Sequence, residues 1–406
     1  MVNVVFVAPF LLQTTLQFIE GLAQLSGVRL AVVTQDHPEK IPTQLGRKIA
    51  HCFQVTDCLH PHRIHEAIKG VENRMGPIYR LLGTLEQIQV PLAEVRQMLG
   101  IQGMDPDTAR NFRDKSHMKN VLRENDIPCA KHCLASTARA ALAFTEKVGF
   151  PVVIKPPAGS GSRNTNLIRN AEELKAHLAE YKISETHPLL LEAFVKGDEY
   201  TFESVHVRGE RVWHGISRYF PSPLEALENP WIQWCIVLPR EVEHPFFDPI
   251  RDMADKSLKV LGMWTGLSHM EWFREKDGRI SVSEVAARPP GGQLTSLHGY
   301  AHDMDIFSAW AKLMVYEEFT APPRKYAAGA AFLRGQGKGR VWRVEGLDAV
   351  KRALKPLIVE MKLPKLGQPA SGSYEGEGYI LVRHPETSVV EKALDLVINH
   401  VRIGMA

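Results

Sequence analysis

Two glutamates on a short hairpin are the residues whose spacing points most directly to chemistry. Asp277-Gly278 is a strong signal for a two-residue turn between strands at 268–274 and 279–286. With that turn, Glu271 lies opposite Glu284, their Cβ atoms about 5 Å apart on one face. Like charges so placed need a cation, and carboxylate oxygens suit Mg²⁺ that also binds phosphate. The hairpin predicts a magnesium–phosphate site; the alternative is an exposed edge with both glutamates in water.

The same face of the hairpin carries two further polar side chains. Period-two alternation places His269 opposite Ala286 and brings Arg288 just beyond the strand end. Two acids, a histidine and an arginine on one face are hard to explain by packing. The prediction depends on the register, because a shift of the turn by one residue would separate the two glutamates.

A lysine followed by a glycine-rich segment is the second pattern with chemical meaning. Lys155 ends an apolar strand, and backbone N–H groups of a flexible loop after it are suited to phosphate oxygens. The pattern does not match the P-loop, and glycine-rich turns are also common without any ligand. The residues of the predicted phosphate loop are Gly159, Ser160, Gly161 and Ser162.

Composition narrows the class of protein. At about 150 residues per domain, the 406 residues predict two to three domains, and 44% hydrophobic with 23% charged residues is typical of globular proteins. Because 49 basic and 46 acidic side chains nearly balance, a basic surface for nucleic acid is not indicated.

The longest apolar run, 4–12, is too short to span a membrane. Five cysteines without a C-x-x-C pair argue against a disulfide framework, and we expect a cytoplasmic protein.

Hydrophobic patterning indicates how the chain is organised. A buried strand at 2–8, a helix at 14–25 and a strand at 28–34 predict a parallel sheet. The loop after the first strand has no glycine, so the pattern disfavours an NAD-binding site. One helix is predicted over 107–124, and a long connection without regular structure over 221–245.

A group of metal-capable side chains lies near Pro61. Cys58, His60, His62 and His65 match none of the usual zinc spacings. We interpret them as part of a surface loop; a metal site is the alternative.

Five motifs in chain order resemble the ATP-grasp superfamily. They are Arg113-Asp114-Lys115, Val153-Ile154-Lys155-Pro156, the glycine loop, the hinge strand 191–199, and the metal pair within His269-Met270-Glu271 and 283–288. The resemblance implies an ATP-grasp fold of α/β and α+β parts. We expect an N-terminal Rossmann-like pre-ATP-grasp domain at 1–112 and an ATP-grasp core at 113–322 with a lid lobe at about 128–200. A small C-terminal α+β subdomain at 323–406 would complete the large lobe.

The resemblance also implies roles for individual residues. Lys115 and Lys155 would bind ATP phosphates, under a closing glycine loop of Gly159, Ser160, Gly161 and Ser162. Glu271 and Glu284 would hold Mg²⁺, or Mn²⁺ in its place, and Arg288 would stabilise the transferred phosphoryl group. The adenosine would be held by Glu192, Ala193, Phe194, Val195 and, at the ribose, Glu199.

One position departs from the family pattern. The family usually has Asn two residues after the second metal glutamate, and here that residue is Ala286. We expect His269, opposite it, or water to fill part of the missing role.

The overall pattern is most similar to the carboxylate–amine ligases, with L-amino-acid ligases as the nearest comparison. The implied reaction activates a small-molecule carboxylate as an acyl phosphate that an amine then attacks. The turn at 291–300 should line the acceptor pocket, and Trp231 and Trp234 either cover it or pack in a core. An enzyme that activates bicarbonate, a nucleotide-binding protein without turnover and an NAD-dependent reductase are the alternatives, and a homodimer is left open.

Overall fold

The computed structural model describes residues 1–159, 164–229, 233–371, 373 and 375–406. Its N-terminal part is a parallel sheet with helices packed on both faces, as the strand–helix–strand pattern predicted. The elements are β1 (Val2–Ala8), α1 (Gln13–Ala23), β2 (Val28–Thr34), α2 (Thr43–Gly46), β3 (His51–Gln54), α3 (Pro61–Met75), β4 (Ile78–Leu82), α4 (Gln89–Leu99) and α5 (Pro106–Arg113). The strand order is β3-β2-β1-β4, and β1 is central because its apolar residues are buried on both faces.

Helix α6 (Lys115–Glu124) and a small four-stranded sheet follow in the chain. Helix α6 leads into β5 (His132–Ala135), α7 (Ala138–Val148), β6 (Val152–Lys155), β7 (Asn166–Ile168), α8 (Ala171–Tyr181) and β8 (Leu189–Ala193). The sheet order is β5-β8-β6-β7, and α7 and α8 cover one face through a small apolar core. We call this unit the lid lobe.

An eight-stranded antiparallel sheet dominates the rest of the chain, in the order β13-β12-β9-β10-β11-β14-β18-β17. Strands from both sides of Pro322-Pro323 pair in it, and the domain boundaries at 112 and 322 stay predictions. Its strands are β9 (Gly197–Val207), β10 (Glu210–Phe220), β11 (Trp234–Leu238), β12 (Gly266–Glu275), β13 (Ile280–Ala286), β14 (Ala327–Leu333), β17 (Ile358–Lys362) and β18 (Gly378–His384). Five helices pack around it: α9 (Pro223–Glu228), α10 (Asp248–Leu261), α11 (Leu294–His302), α12 (Ile306–Tyr316) and α14 (Thr387–His400).

A three-stranded sheet lies beside the C-terminal helix. It contains β15 (Gly335–Gln336), β16 (Val341–Glu345) and β19 (Arg402–Met405), with α13 (Leu347–Leu354) packed nearby. In the part of the chain that the structure describes, no helix combines the length and hydrophobicity needed to cross a bilayer.

The hairpin has the predicted pairing of Glu271 with Glu284, but its turn differs from the predicted one. The two-residue turn is wrong: Glu275 N donates to Arg279 O at 2.9 Å, which leaves a three-residue loop with Gly278 at φ +85°. That loop alone would shift the register by one residue. A β-bulge between Glu271 and Trp272 compensates, because Ser283 is left as the extra residue on β13. Glu271 therefore still pairs with Glu284.

The single helix predicted over 107–124 is wrong as well. The chain forms α5 and α6, separated at Asp114, whose backbone is extended at φ −91° and ψ 105°. The Asp114 carboxylate accepts hydrogen bonds from the N–H groups of Ser116 and His117 and so caps a new helix. Lys115 becomes the first residue of α6.

The connection predicted over 221–245 contains regular structure. Helix α9 and strand β11 lie inside it, and β11 pairs with both β10 and β14. Its side chains are buried throughout, which explains a run without polar alternation. Trp234 is 1% exposed and stacks on Phe332 at 4.7 Å, and it also lines the cavity described below, so it is packed and its role at the acceptor pocket stays a prediction. Trp231 lies outside the described residues.

The Asp114 cap gives a prediction for stability. Replacing Asp114 with Ala should lower the free energy of unfolding by about 1 kcal/mol, because two N–H groups lose their acceptor. Asp114→Asn is the matched control, since asparagine also caps and should preserve stability. Urea unfolding of the three proteins measures the difference; equal stability of the Ala and Asn variants would contradict the cap.

Candidate active site

The opposed glutamates lie at the centre of the site. Glu284 Oε1 is 2.6 Å from Lys115 Nζ, which also donates to the Gly159 carbonyl at 2.9 Å. Burial raises the pKa of the Glu284 carboxyl, but Lys115 and Lys155 lower it more strongly, to about 2. The carboxylate is therefore ionised at neutral pH and available to a cation.

A second lysine of α6 belongs to the site and was missed from the sequence. Lys119 is 0% exposed, and its Nζ donates to the Ser283 carbonyl at 2.7 Å. The same Nζ forms an ion pair with Glu192 Oε1, 3.3 Å away. The signal was present: Lys119 follows Lys115 by four residues and so shares its helix face.

Glu192, expected at the adenine, is paired with lysines in this structure. Its Oε2 is 3.0 Å from Lys155 Nζ, and its Oε1 faces Lys119. Burial raises the pKa of the Glu192 carboxyl, and the two lysines reverse this and lower it overall. The carboxylate thus fixes the Lys155 ammonium at the end of β6, pointing into the cavity described below.

Glu199 lies on the same sheet face as Glu271, because it pairs with Phe273 in the β9–β12 ladder. Burial, and then the charge of Glu271, raise the pKa of Glu199 well above its ordinary value. Its ribose role stays a prediction.

His269 lies on the same face, opposite Ala286, as predicted. Its Nδ1 is 2.7 Å from Glu203 Oε1, and its Nε2 is 3.7 Å from Glu271 Oε1. Burial lowers the pKa of His269, but the hydrogen bond to Glu203 and the nearby charge of Glu271 raise it to about 9. Sequence reasoning missed Glu203, although period two from Glu199 places it on this face.

Arg288 is joined to the N-terminal part by an acid that the sequence reasoning also missed. Its Nη2 is 2.6 Å from Glu86 Oε2, and Arg113 Nη1 lies 3.2 Å from the other oxygen of the same carboxylate. Glu86 is 6% exposed and follows β4. The carboxyl ends of parallel strands commonly supply binding residues, which was the available signal.

A cavity of about 520 Å³ lies between the N-terminal part, the lid lobe and the large sheet. Gly159 lines it, whereas the loop residues Ser160, Gly161 and Ser162 lie outside the described residues. The turn at 289–293 and the start of α11 form another wall. The predicted residues that line it are Lys115, Lys155, Glu192, Ala193, Phe194, Val195, Glu199, His269, Glu271, Glu284 and Arg288.

The residues near Pro61 do not converge. Pro61 begins α3, the Cys58 side chain is buried in the N-terminal core, and His60 and His62 are exposed. Within the described ranges, no group of three or more His, Cys, Asp or Glu side chains is arranged to hold a metal ion.

Removing the Glu192 charge should destabilise the lid lobe. Glu192→Gln leaves Lys119 and Lys155 without their counter-charge, and loss of one partner from a buried ion pair costs about 3 kcal/mol. Glu172→Gln, the same change at an exposed position of α8, should have no effect. Urea unfolding measures both variants, and equal stability of the two would show that the buried lysines do not depend on Glu192.

Comparison with known proteins shows which sequences and structures this chain resembles. Residues 120–300 match the model of the ATP-grasp domain. The chain is 24% identical over 251 residues to the L-arginine-specific L-amino acid ligase of Bacillus subtilis, an alignment covering 60% of each chain. The crystal structure of L-amino acid ligase from Bacillus licheniformis superposes with a TM-score of 0.79 at 17% identity, covering 100% of this chain and 99% of the other. N5-carboxyaminoimidazole ribonucleotide synthetase from Thermotoga maritima gives 0.73 at 17% identity, covering 100% of both chains. The match of residues 120–300 and the full-length superposition agree, and the chain has the ATP-grasp fold that its motifs predicted.

Proposed function

We propose that the chain is an ATP-dependent carboxylate–amine ligase that forms an amide or peptide bond and releases ADP and phosphate, with an amino acid as one substrate. The observation that carries the proposal is the single cavity that brings Glu271, Glu284, Lys115, Lys155 and Arg288 together. Similarity to two L-amino acid ligases supports the substrate class.

The first step joins two anions, a substrate carboxylate and the γ-phosphoryl group of ATP. Catalysis therefore requires positive charge and positioning more than a nucleophilic side chain. Lys115 and Lys155 are held by Glu284 and Glu192, so their ammonium groups are oriented before ATP arrives. Arg288, held by Glu86, would stabilise the transferred phosphoryl group and the acyl phosphate.

A divalent cation fits the opposed acids. Glu271 and Glu284 pair directly across β12 and β13, and both are oxygen ligands of the kind Mg²⁺ prefers. Since the described residues offer no complete set of protein ligands, phosphate oxygens and water would supply the remainder. When bound, the cation neutralises phosphate charge. Mn²⁺ in place of Mg²⁺ is part of the same proposal.

The second step is attack of the amine on the acyl phosphate. The turn at 289–293 follows Arg288 directly and lines the cavity, which makes it the proposed acceptor wall. The backbone of 193–195 would hold adenine and Glu199 the ribose. Exclusion of water by the phosphate loop would protect the acyl phosphate from hydrolysis.

Location and assembly belong to the same proposal. We propose a cytoplasmic location because the reaction consumes ATP and because all five cysteines are unpaired. Small-molecule carboxylate and amine substrates are the proposed partners, with a homodimer left open.

A phosphate-release screen tests the reaction class. With ATP and Mg²⁺, release should require both a carboxylate, such as an amino acid, and an amine, and chelation of Mg²⁺ should stop it. Bicarbonate-dependent release without any amine would instead favour an enzyme that activates bicarbonate.

The metal assignment has its own prediction. Glu284→Gln should lower kcat by about 10²- to 10³-fold, because the cation that would neutralise the transferred phosphoryl group loses one of its two carboxylate ligands. Glu275→Gln, on the same hairpin but paired with Arg279, is the control and should keep wild-type turnover. An active Glu284→Gln enzyme would rule out the assignment.

A further inference from the structure

A buried carboxylate behind the cavity holds the His269 ring. Glu203 is 0% exposed and pairs with His269 across β9 and β12. Its Oε1 lies 2.7 Å from His269 Nδ1, and its Oε2 lies 3.0 Å from His298 Nε2 on α11. Burial raises the pKa of Glu203, but these hydrogen bonds lower it to about 2. A carboxylate has two oxygens that accept hydrogen bonds, so Glu203 can hold both rings at once.

This arrangement leaves the other nitrogen of His269 facing the cavity. With Nδ1 committed to Glu203, Nε2 is directed at Glu271 Oε1, 3.7 Å away. His269 and Glu271 line the cavity; among the lining residues that the structure describes, Glu203 and His298 do not appear. The two can therefore act on the reaction only through the residues they hold.

We propose that Glu203 and His298 are positioning residues for the metal-binding end of the site, fixing the His269 ring against Glu271. The inference rests on the proposed function, because it takes Glu271 as a cation-binding residue. In metal sites, carboxylates that orient a histidine typically change metal affinity by about 10- to 100-fold when removed. Here the carboxylate is itself held, by a histidine from a separate helix.

The position of His298 is tightly constrained. Its ring lies edge-on to Trp213, with centroids 5.0 Å apart. A Cβ added to Gly215 would overlap the His298 ring, so only glycine leaves room for it. Helix α11 starts after the turn at 289–293, so Glu203 connects the metal end to the helix that carries the proposed acceptor wall.

The first test is Glu203→Gln, with Mn²⁺ as the probe. Binding of Mn²⁺ in the presence of ADP, followed by electron paramagnetic resonance, should weaken about tenfold or more, whereas binding of ADP without metal should not change. Ser204→Ala is the matched control: Ser204 is buried on the same strand, and its Oγ contacts Ser268 Oγ at 2.8 Å. A merely structural role would lower the unfolding temperature of both variants and leave the Mn²⁺ affinity of both unchanged.

Gly215→Ala tests the same chain of contacts without removing a polar group. The added methyl should displace His298 from Glu203 and weaken Mn²⁺ binding in the same direction. Gly329→Ala, in the same sheet, is its control, because the nearest atoms to a Cβ there belong to Leu394, Val390 and Ile236 and not to His298 or Glu203. If Glu203→Gln fails to fold, Gly215→Ala still tests the proposal.

Glu271→Gln separates this inference from the proposed function. If Glu271→Gln weakens Mn²⁺ binding while Glu203→Gln and Gly215→Ala bind within twofold of wild type, the positioning role is overturned and the proposed function stands. If Glu271→Gln binds Mn²⁺ as wild type does, the metal assignment fails and the positioning role fails with it.

Discussion

Two carboxylates facing each other on one strand pair are the constraint on which the rest of the site depends. Glu271 and Glu284 repel each other across β12 and β13, and burial increases the cost of their charge. The structure compensates with Lys115 from a separate helix and with His269 from the same strand. Each of these cations makes a further contact: Lys115 donates to the Gly159 carbonyl, and His269 contacts Glu203.

The two acids are thus compensated by cations of the protein itself. Buried ion pairs of this kind contribute little net stability, since desolvation offsets their attraction. Their value is in orientation: Lys155, Lys115 and Arg288 are each held by a carboxylate before any phosphate is present. Preorganised charge costs no reorganisation at the moment of reaction.

Much of the local structure followed from sequence patterns with a clear physical cause. The buried strand β1 was predicted from its continuous apolar run, and the pairing of Glu271 with Glu284 was predicted from a two-residue turn that the structure does not contain. The observed loop and the bulge were not predicted. A three-residue loop and one extra residue produce offsets that cancel, and single-sequence patterns do not distinguish this from a regular two-residue hairpin. Asp114 is a residue type that caps helices, but aspartate also occurs inside helices, so the sequence did not predict the break. The apolar run of β11 is typical of a buried strand, but it also fits a loop packed against a core.

By itself, the sequence determined the chemistry of the site: which side chains carry charge, and the order in which the ATP-grasp motifs occur. Only the tertiary structure decided which charges meet. Glu86 reaches Arg288 across 202 residues of sequence, Lys119 reaches Glu192, and Glu203 reaches His298. Periodicity fixes the face on which a side chain lies, but the partner it meets depends on how separate elements pack, and that information is not local.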